Sequence, residues 1–299
     1  MNVAVVDGLL VLDKPAGVTS RAVVDRVLRW FPRRTRIGHT GTLDPLATGV
    51  LVLCLGAATR LSEYVQLMSK TYRTRLLLGA RSDSDDADGT ITAVAGACAP
   101  EAATVAACAA AFVGVIAQVP PAFSAAKVSG RRAYDLARRG EEVTLRPRLV
   151  RIHAIQVLDY DYPHLELEVH CGKGTYIRSL ARDLGDRLGC GALVQTLRRT
   201  RVGPFTAEEA LTLDADAETA HARVLPAEMA VAELPRLVLP DNEVKRLCRG
   251  QAVAVAKGQE WSDSGGELAV FDTAGRLAAI AVFDPQRKML QPAKVLQSK

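Results

Sequence analysis

The sequence lacks any paired arrangement of cysteines. Its six, at Cys54, Cys98, Cys108, Cys171, Cys190 and Cys248, are scattered and form no C-x-x-C. That pattern excludes a disulfide framework and a zinc ribbon, and predicts reduced thiols in a cytoplasmic protein. Long apolar runs are missing too, so no membrane association is expected. The opening MNVAVVDGLLVLDKP has no basic start, and Asp7 interrupts it, so it reads as neither signal peptide nor membrane span. The five histidines show no helical pair suited to a metal, and none is expected. Gly172-Lys173-Gly174-Thr175 lacks the upstream glycine of a P-loop, although its amides can still face a phosphate. The acidic run at residues 83–89 fails as a calcium loop, because Ser84 would open it and Ala95 would close it where a Glu is needed. It reads as a solvated turn.

Lysine is scarce. Only nine of the 38 basic residues are lysines, so 29 are arginines, whose planar fork suits phosphates and bases. Genomic base composition is the other reading, since Ala, Val and Gly are also abundant. The net charge is a mild +5, and hydrophobic residues at 48% are ordinary for a globular chain. A length of 299 residues suggests about two domains.

Residues 9–12 predict a buried strand, followed by the turn Asp13-Lys14-Pro15-Ala16-Gly17. Ser20 is placed to cap a helix with Val23, Val24, Val27, Leu28 and Phe31 on one face, ended by Pro32. A basic loop, Arg33-Arg34-Thr35-Arg36, precedes residues 38–45. Residues 50–55 predict a strand covered on both faces, and residues 70–79 are β-rich. Residues 100–112 predict a helix, while 149–158 and 165–171 predict paired strands. Residues 175–188 predict a helix burying Ile177, Leu180, Ala181, Leu184 and Leu188. The interleaving without regular βαβ repetition predicts an α+β fold with a mixed, mostly antiparallel sheet and flanking helices. A boundary is expected at residues 231–236, followed by a β-rich module.

The segment at residues 38–49, GHTGTLDPLATG, sets three glycines around one carboxylate just before a buried strand. Taken alone, Asp-Pro in such a loop is a turn-former. In company it resembles the signature of the tRNA pseudouridine-55 synthases, the bacterial TruB family. LDKPAGVTS (12–20), Lys70-Thr71-Tyr72, QVPPAFSAAKVSGRRAYDLARRG (118–140), GKGTYIRSLARDLG (172–185) and GALVQTLRRTRVGPF (191–205) resemble further family motifs in the family's order. Ser82 and Ser84 stand where the family often has threonines, and Phe123 where a tyrosine is common.

The resemblance implies a pseudouridine-synthase-type sheet over residues 1–232 with an RNA-gripping insertion at about 118–148. It implies a small PUA-like RNA-binding domain over 233–299. It further implies isomerisation of one uridine in the T-loop of tRNA, with Asp44 as nucleophile paired to Arg178. Tyr72 would stack on a flipped-out base, Tyr176 would line the pocket, and Leu197 would wall it. His39 would fill the space that the base vacates. Lys127, Arg131, Arg132 and Arg138 would grip the T-arm, helped by Arg139, Arg146, Arg148 and Arg151. Between 131 and 151 only Asp135, Glu141 and Glu142 offset the seven arginines. No cofactor, obligate protein partner or oligomer is implied, so a monomer is expected. Two other readings stay open on the residues alone: a noncatalytic RNA-binding or tRNA-folding protein on the same scaffold, and a small-molecule hydrolase using Asp44.

Overall fold

The computed structural model describes residues 6–124, 127–128, 131–132, 145–254 and 266–296. The chain opens with β1 (Gly8–Lys14), α1 (Ser20–Val27), β2 (Ile37–His39) and β3 (Thr48–Leu55). Then come α2 (Ser62–Leu67), β4 (Lys70–Leu78), the hairpin β5 (Ala80–Ser82) and β6 (Ile91–Ala93), α3 (Ala102–Ala110) and β7 (Gly114–Gln118). A small ribbon, β8 (Lys127–Val128) and β9 (Arg131–Arg132), follows. It is followed by β10 (Arg148–Asp161), β11 (His164–Cys171), α4 (Ile177–Leu188), β12 (Ala192–Val202), β13 (Phe205–Thr206) and α5 (Ala217–Ala222). A second sheet contains β14 (Arg236–Val238), β15 (Val253–Ala254), β16 (Glu267–Phe271), β17 (Leu277–Asp284) and β18 (Met289–Val295), with α6 (Asp241–Cys248) against it.

The main sheet runs β1-β3-β12-β4-β11-β10-β7. Its pairings are antiparallel except β3 with β12. The expected mixed, mostly antiparallel sheet is therefore present. Strand β3 is covered on both faces. Leu51, Leu53 and Leu55 join a core with α1, α3 and α4, while Val50, Val52 and Cys54 join a second core behind the sheet. Strand β11 shows the period of two, sending Leu165, Leu167 and Val169 into the first core.

Four local expectations are corrected. Thr19, not Ser20, caps α1 by accepting from Ala22 N at 3.1 Å. The helix ends at Val27, ahead of Pro32, and β10 runs longer than expected because two bulges let it stay paired with β11. The acidic turn at 83–89 is only partly solvated: Asp83 and Asp88 are exposed. Its Asp85 and Asp86 are drawn against α4, and Ala87 N donates to Val194 O at 2.9 Å on β12.

The second sheet does not stand apart. Ala269, Phe271, Leu277 and Ile280 share one core with Leu9, Val11, Val50 and Val52 of the main sheet. Polar contacts edge this seam. Lys294 pairs with Glu63 and lies 4.9 Å over the Tyr64 ring, and Arg60 donates to Val295 O. No helix among the described residues is long and apolar enough to cross a membrane. Because Ile280 is fully buried in the shared core, Ile280→Ala should cost about 2–5 kcal/mol and lower both sheets' stability together. Urea unfolding followed by probes in each sheet checks this; a loss confined to the second sheet would contradict it.

Candidate active site

Asp44 lies in the loop between β2 and β3, and the loop is anchored on both sides of it. On the upstream side, Thr40 N donates to Val52 O at 3.0 Å. Leu43 N donates to Ser20 Oγ at 2.8 Å, and that hydroxyl lies 3.1 Å from Leu43 O. On the downstream side, Gly17 N donates to Pro45 O at 2.9 Å, and Ala47 N to Asp44 O at 3.1 Å. Lys14, fully buried, spans Pro15 O at 2.9 Å, Val18 O at 2.8 Å and Pro45 O at 3.2 Å. The turn at 13–17 and the first residue of α1 thus act as a clamp that fixes the residues before and after Asp44. Burial pulls the Lys14 pKa down to about 8, and the neighbouring Asp44 carboxylate resists the fall.

Arg178 stands in the first turn of α4 and is 4% exposed. Its Nε lies 3.0 Å from Asp44 Oδ2, and its Nη1 lies 3.2 Å from Asp86 Oδ2. Nη1 also donates to Ser84 O and Nη2 to Phe123 O, both at 2.9 Å. One guanidinium therefore joins the Asp44 loop, the β5–β6 turn and the segment after β7. Asp86 is itself held, accepting from Ser84 Oγ at 2.6 Å and Asp88 N at 3.1 Å. One helical turn on, Arg182 pairs with Asp85 at 2.9 Å, so the i, i+4 spacing brings both arginines to one turn.

Asp44 keeps 36% of its side chain accessible, but protein surrounds the rest. Burial raises its pKa; Arg178 opposes the rise, and Asp86 adds to it. The carboxylate is reachable and partly desolvated, and one arginine is the chief charge opposing the effect of that desolvation.

Tyr72 lies on β4, 9% exposed, beside Arg199 across the strand pair. Burial pushes its phenol pKa up, against the pull of Arg199, and the charge of Asp44 adds to the rise. Arg199 is 3% exposed and donates Nε to Val50 O at 2.7 Å and Nη2 to Gly41 O at 3.1 Å. It ties the Asp44 loop to the centre of the sheet. Gly49 makes this approach possible: its φ is +99°, and a Cβ there would meet Arg199 O at 2.1 Å.

Strand β3 bonds β2 along its later half and β12 only at Thr48 and Gly49. Beside this divided edge runs a groove of about 930 Å3, lined by Pro45, Leu46, Thr48, Thr74, Leu197 and Arg198 among others. Leu197 is thus brought to the flank of the Asp44 loop. His39 ends β2 opposite Leu53 and is half-buried. Tyr176, half-buried at the start of α4, exchanges two hydrogen bonds with Gln118, at 2.8 and 3.1 Å. Ser179 and Arg182 donate to Val119 O at 2.7 and 2.9 Å, so α4 holds the chain where it leaves β7. Lys127, Arg131 and Arg132 fall on the β8–β9 ribbon, whose side chains lie outside the description, as do Arg138 and Arg139 entirely. Arg146, Arg148 and Arg151 are exposed. Among the described residues, no three His, Cys, Asp or Glu side chains gather as metal ligands.

Lys14, Ser20, Asp86 and Arg199 were not singled out from sequence. The signals were present but ambiguous: a Lys-Pro turn, a helix-cap serine, one aspartate among four, and one arginine in a basic strand. If the clamp holds the loop, Ser20→Ala should cost about 1–3 kcal/mol by stranding the Leu43 amide. Chemical denaturation with amide exchange at Leu43 reads this; unchanged stability and protection would contradict it.

Residues 29–177 match the TruB family pseudouridylate synthase (N terminal domain), and residues 178–243 match the tRNA pseudouridylate synthase B C-terminal domain. The chain is 43% identical to the tRNA pseudouridine synthase B of Cereibacter sphaeroides, covering 97% of this chain and 96% of the relative. It is 45% identical to that of Thermobifida fusca, covering 92% and 94%. Among solved structures it is similar to a chain of a Cbf5-Nop10-Gar1 complex, with a TM-score of 0.74 and 26% identity over 97% of this chain and 85% of that one.

Proposed function

The chain belongs to the TruB family of pseudouridylate synthases, and on that footing we propose that it converts the uridine at position 55 in the T-loop of tRNA to pseudouridine, with Asp44 as nucleophile. The single observation that carries the chemistry is the 3.0 Å ion pair between a buried Arg178 and an Asp44 carboxylate that stays partly accessible.

The reaction breaks the bond from ribose C1′ to uracil N1 and forms one from C1′ to C5. The C5 proton leaves and N1 gains one, so the sum is an isomerisation without redox change, hydrolysis or cofactor. The nucleophile must be ionised, whether it attacks C1′ or uracil C6. Burial works against ionisation, and Arg178 works for it. The target base leaves its stack to reach the cleft, at a cost of roughly a few kcal/mol. Tyr72, 9% exposed on β4, stacks on that base, and Leu197 provides an apolar wall in the groove beside Pro45. Tyr176 lines the pocket, and His39 takes the place in the RNA loop that the base gives up.

Substrate recognition follows from folded RNA being read by its shape and its phosphates. Lys127, Arg131, Arg132 and Arg138 of the insertion grip the T-arm. The root of that insertion is bonded to α4, the helix that carries Arg178. The part of the chain from about residue 233 acts as a PUA-like RNA-binding domain, and the enzyme works as a monomer.

The test is pseudouridine formation at position 55 of an unmodified tRNA transcript. Asp44→Ala should bind the transcript and leave the uridine unchanged. Arg178→Lys, which loses the planar fork, should bind and turn over on the order of a hundredfold more slowly or worse. If neither wild type nor Asp44→Ala reacts and both bind equally, the chain is a noncatalytic RNA-binding protein.

A further inference from the structure

The basic loop between α1 and β2 has no part in the chemistry above. Segment 21–36 holds six arginines against one aspartate. That aspartate, Asp25, is paired with Arg21 at 2.8 Å, and Arg26 lies 4.0 Å from Asp214. Arg29, Arg33, Arg34 and Arg36 are exposed, and among the described residues they form no ion pair. Solvated charged faces usually intersperse both signs; three bare arginines within four residues repel one another.

The backbone beneath these arginines is fixed. Phe31 and Thr35 are buried at 5% and 4% exposure. The Phe31 ring sits 4.6 Å from that of His221, whose Nε2 lies 3.0 Å from Trp30 O. Thr35 N donates to Pro32 O, and Gly56 N to Arg36 O, each at 2.8 Å. The anchors point inward and the arginines outward, so little backbone order remains to be gained on binding.

The loop also lies on the reacting side of the sheet. Helix α1 packs into the same core as Leu43 and the buried face of α4. From Arg36, the extended β2 reaches His39 in three residues, about 10 Å. The Asp44 loop begins after His39, so the arginines stand farther along the sheet, where the backbone flanking a target nucleotide would pass.

We propose that Arg33, Arg34 and Arg36 form a second phosphate-binding surface, separate from the insertion, which holds the RNA backbone flanking the target nucleotide. This rests on the reading that the chain acts on tRNA. Arginine forks bind phosphate in a bidentate way, and each contact releases counterions and so steepens the salt dependence of affinity.

The test uses the full-length chain carrying Arg33→Gln, Arg34→Gln and Arg36→Gln, with an unmodified tRNA transcript as probe. Binding is measured across a series of salt concentrations, and the thermal unfolding midpoint verifies the fold. The Kd at low salt should rise about tenfold or more, and the slope of log Kd against log salt should become shallower by roughly two to three. A Kd and slope equal to those of wild type would overturn the proposal. So would a raised Kd with an unchanged slope, since the lost contacts would not be to phosphates. If wild type itself fails to bind tRNA, the proposed function falls and this surface with it, an outcome seen without the variant.

Discussion

One guanidinium is shared by two carboxylates, and much of the site depends on that arrangement. Arg178 faces Asp44 at 3.0 Å and Asp86 at 3.2 Å, and it spends further N–H groups on the carbonyls of Ser84 and Phe123. Buried ion pairs seldom add net stability, because desolvation opposes the attraction. What this one supplies is position and charge. Three segments distant in sequence converge on a single side chain, and its cation opposes the rise that burial imposes on the Asp44 carboxyl's pKa. A lysine would offer a point charge where the fold uses a fork.

The sheet supplies the place for that carboxylate. Strand β3 is shared, bonded to β2 along one half and to β12 at only two residues of the other. The Asp44 loop leaves the sheet at this division, with Leu197 and the groove beside it. Gly49 lets the two strands touch where any side chain would collide with Arg199 O. Lys14, Ser20 and Arg199 then bind the loop to β1, α1 and β12. A flexible Asp-Pro turn thereby becomes a fixed platform, which reduces the entropy lost when a substrate is engaged.

The sequence announced some of this plainly. The continuous apolar run of β3, the alternation of β11 and the stripe on α4 follow from burial patterns that no tertiary contact has to supply. GHTGTLDPLATG pointed to Asp44 through its resemblance to the TruB signature, because on local pattern alone an Asp-Pro among glycines reads as a turn-former. Asp86 was illegible: an acidic run reads as solvated unless one knows that Arg178 and Arg182, some ninety residues later, will face it. Ser20 looked like a helix cap because local pattern favours one, and only the fold reveals Leu43 at its hydroxyl. Lys14 resembled an ordinary turn residue until three carbonyls closed around it. Local periodicity is written in neighbouring residues, whereas these polar contacts join residues far apart in the chain.

The central claim is that Arg178 governs the ionisation of Asp44. It is tested most directly by 13C NMR titration of the aspartate side-chain carboxyls, with Asp44→Asn used for assignment. In wild type the Asp44 carboxyl should titrate above the usual 3.8, because burial outweighs the arginine. In Arg178→Met it should titrate higher still, as the opposing cation is lost. An Asp44 titration that is the same in both proteins would contradict the account.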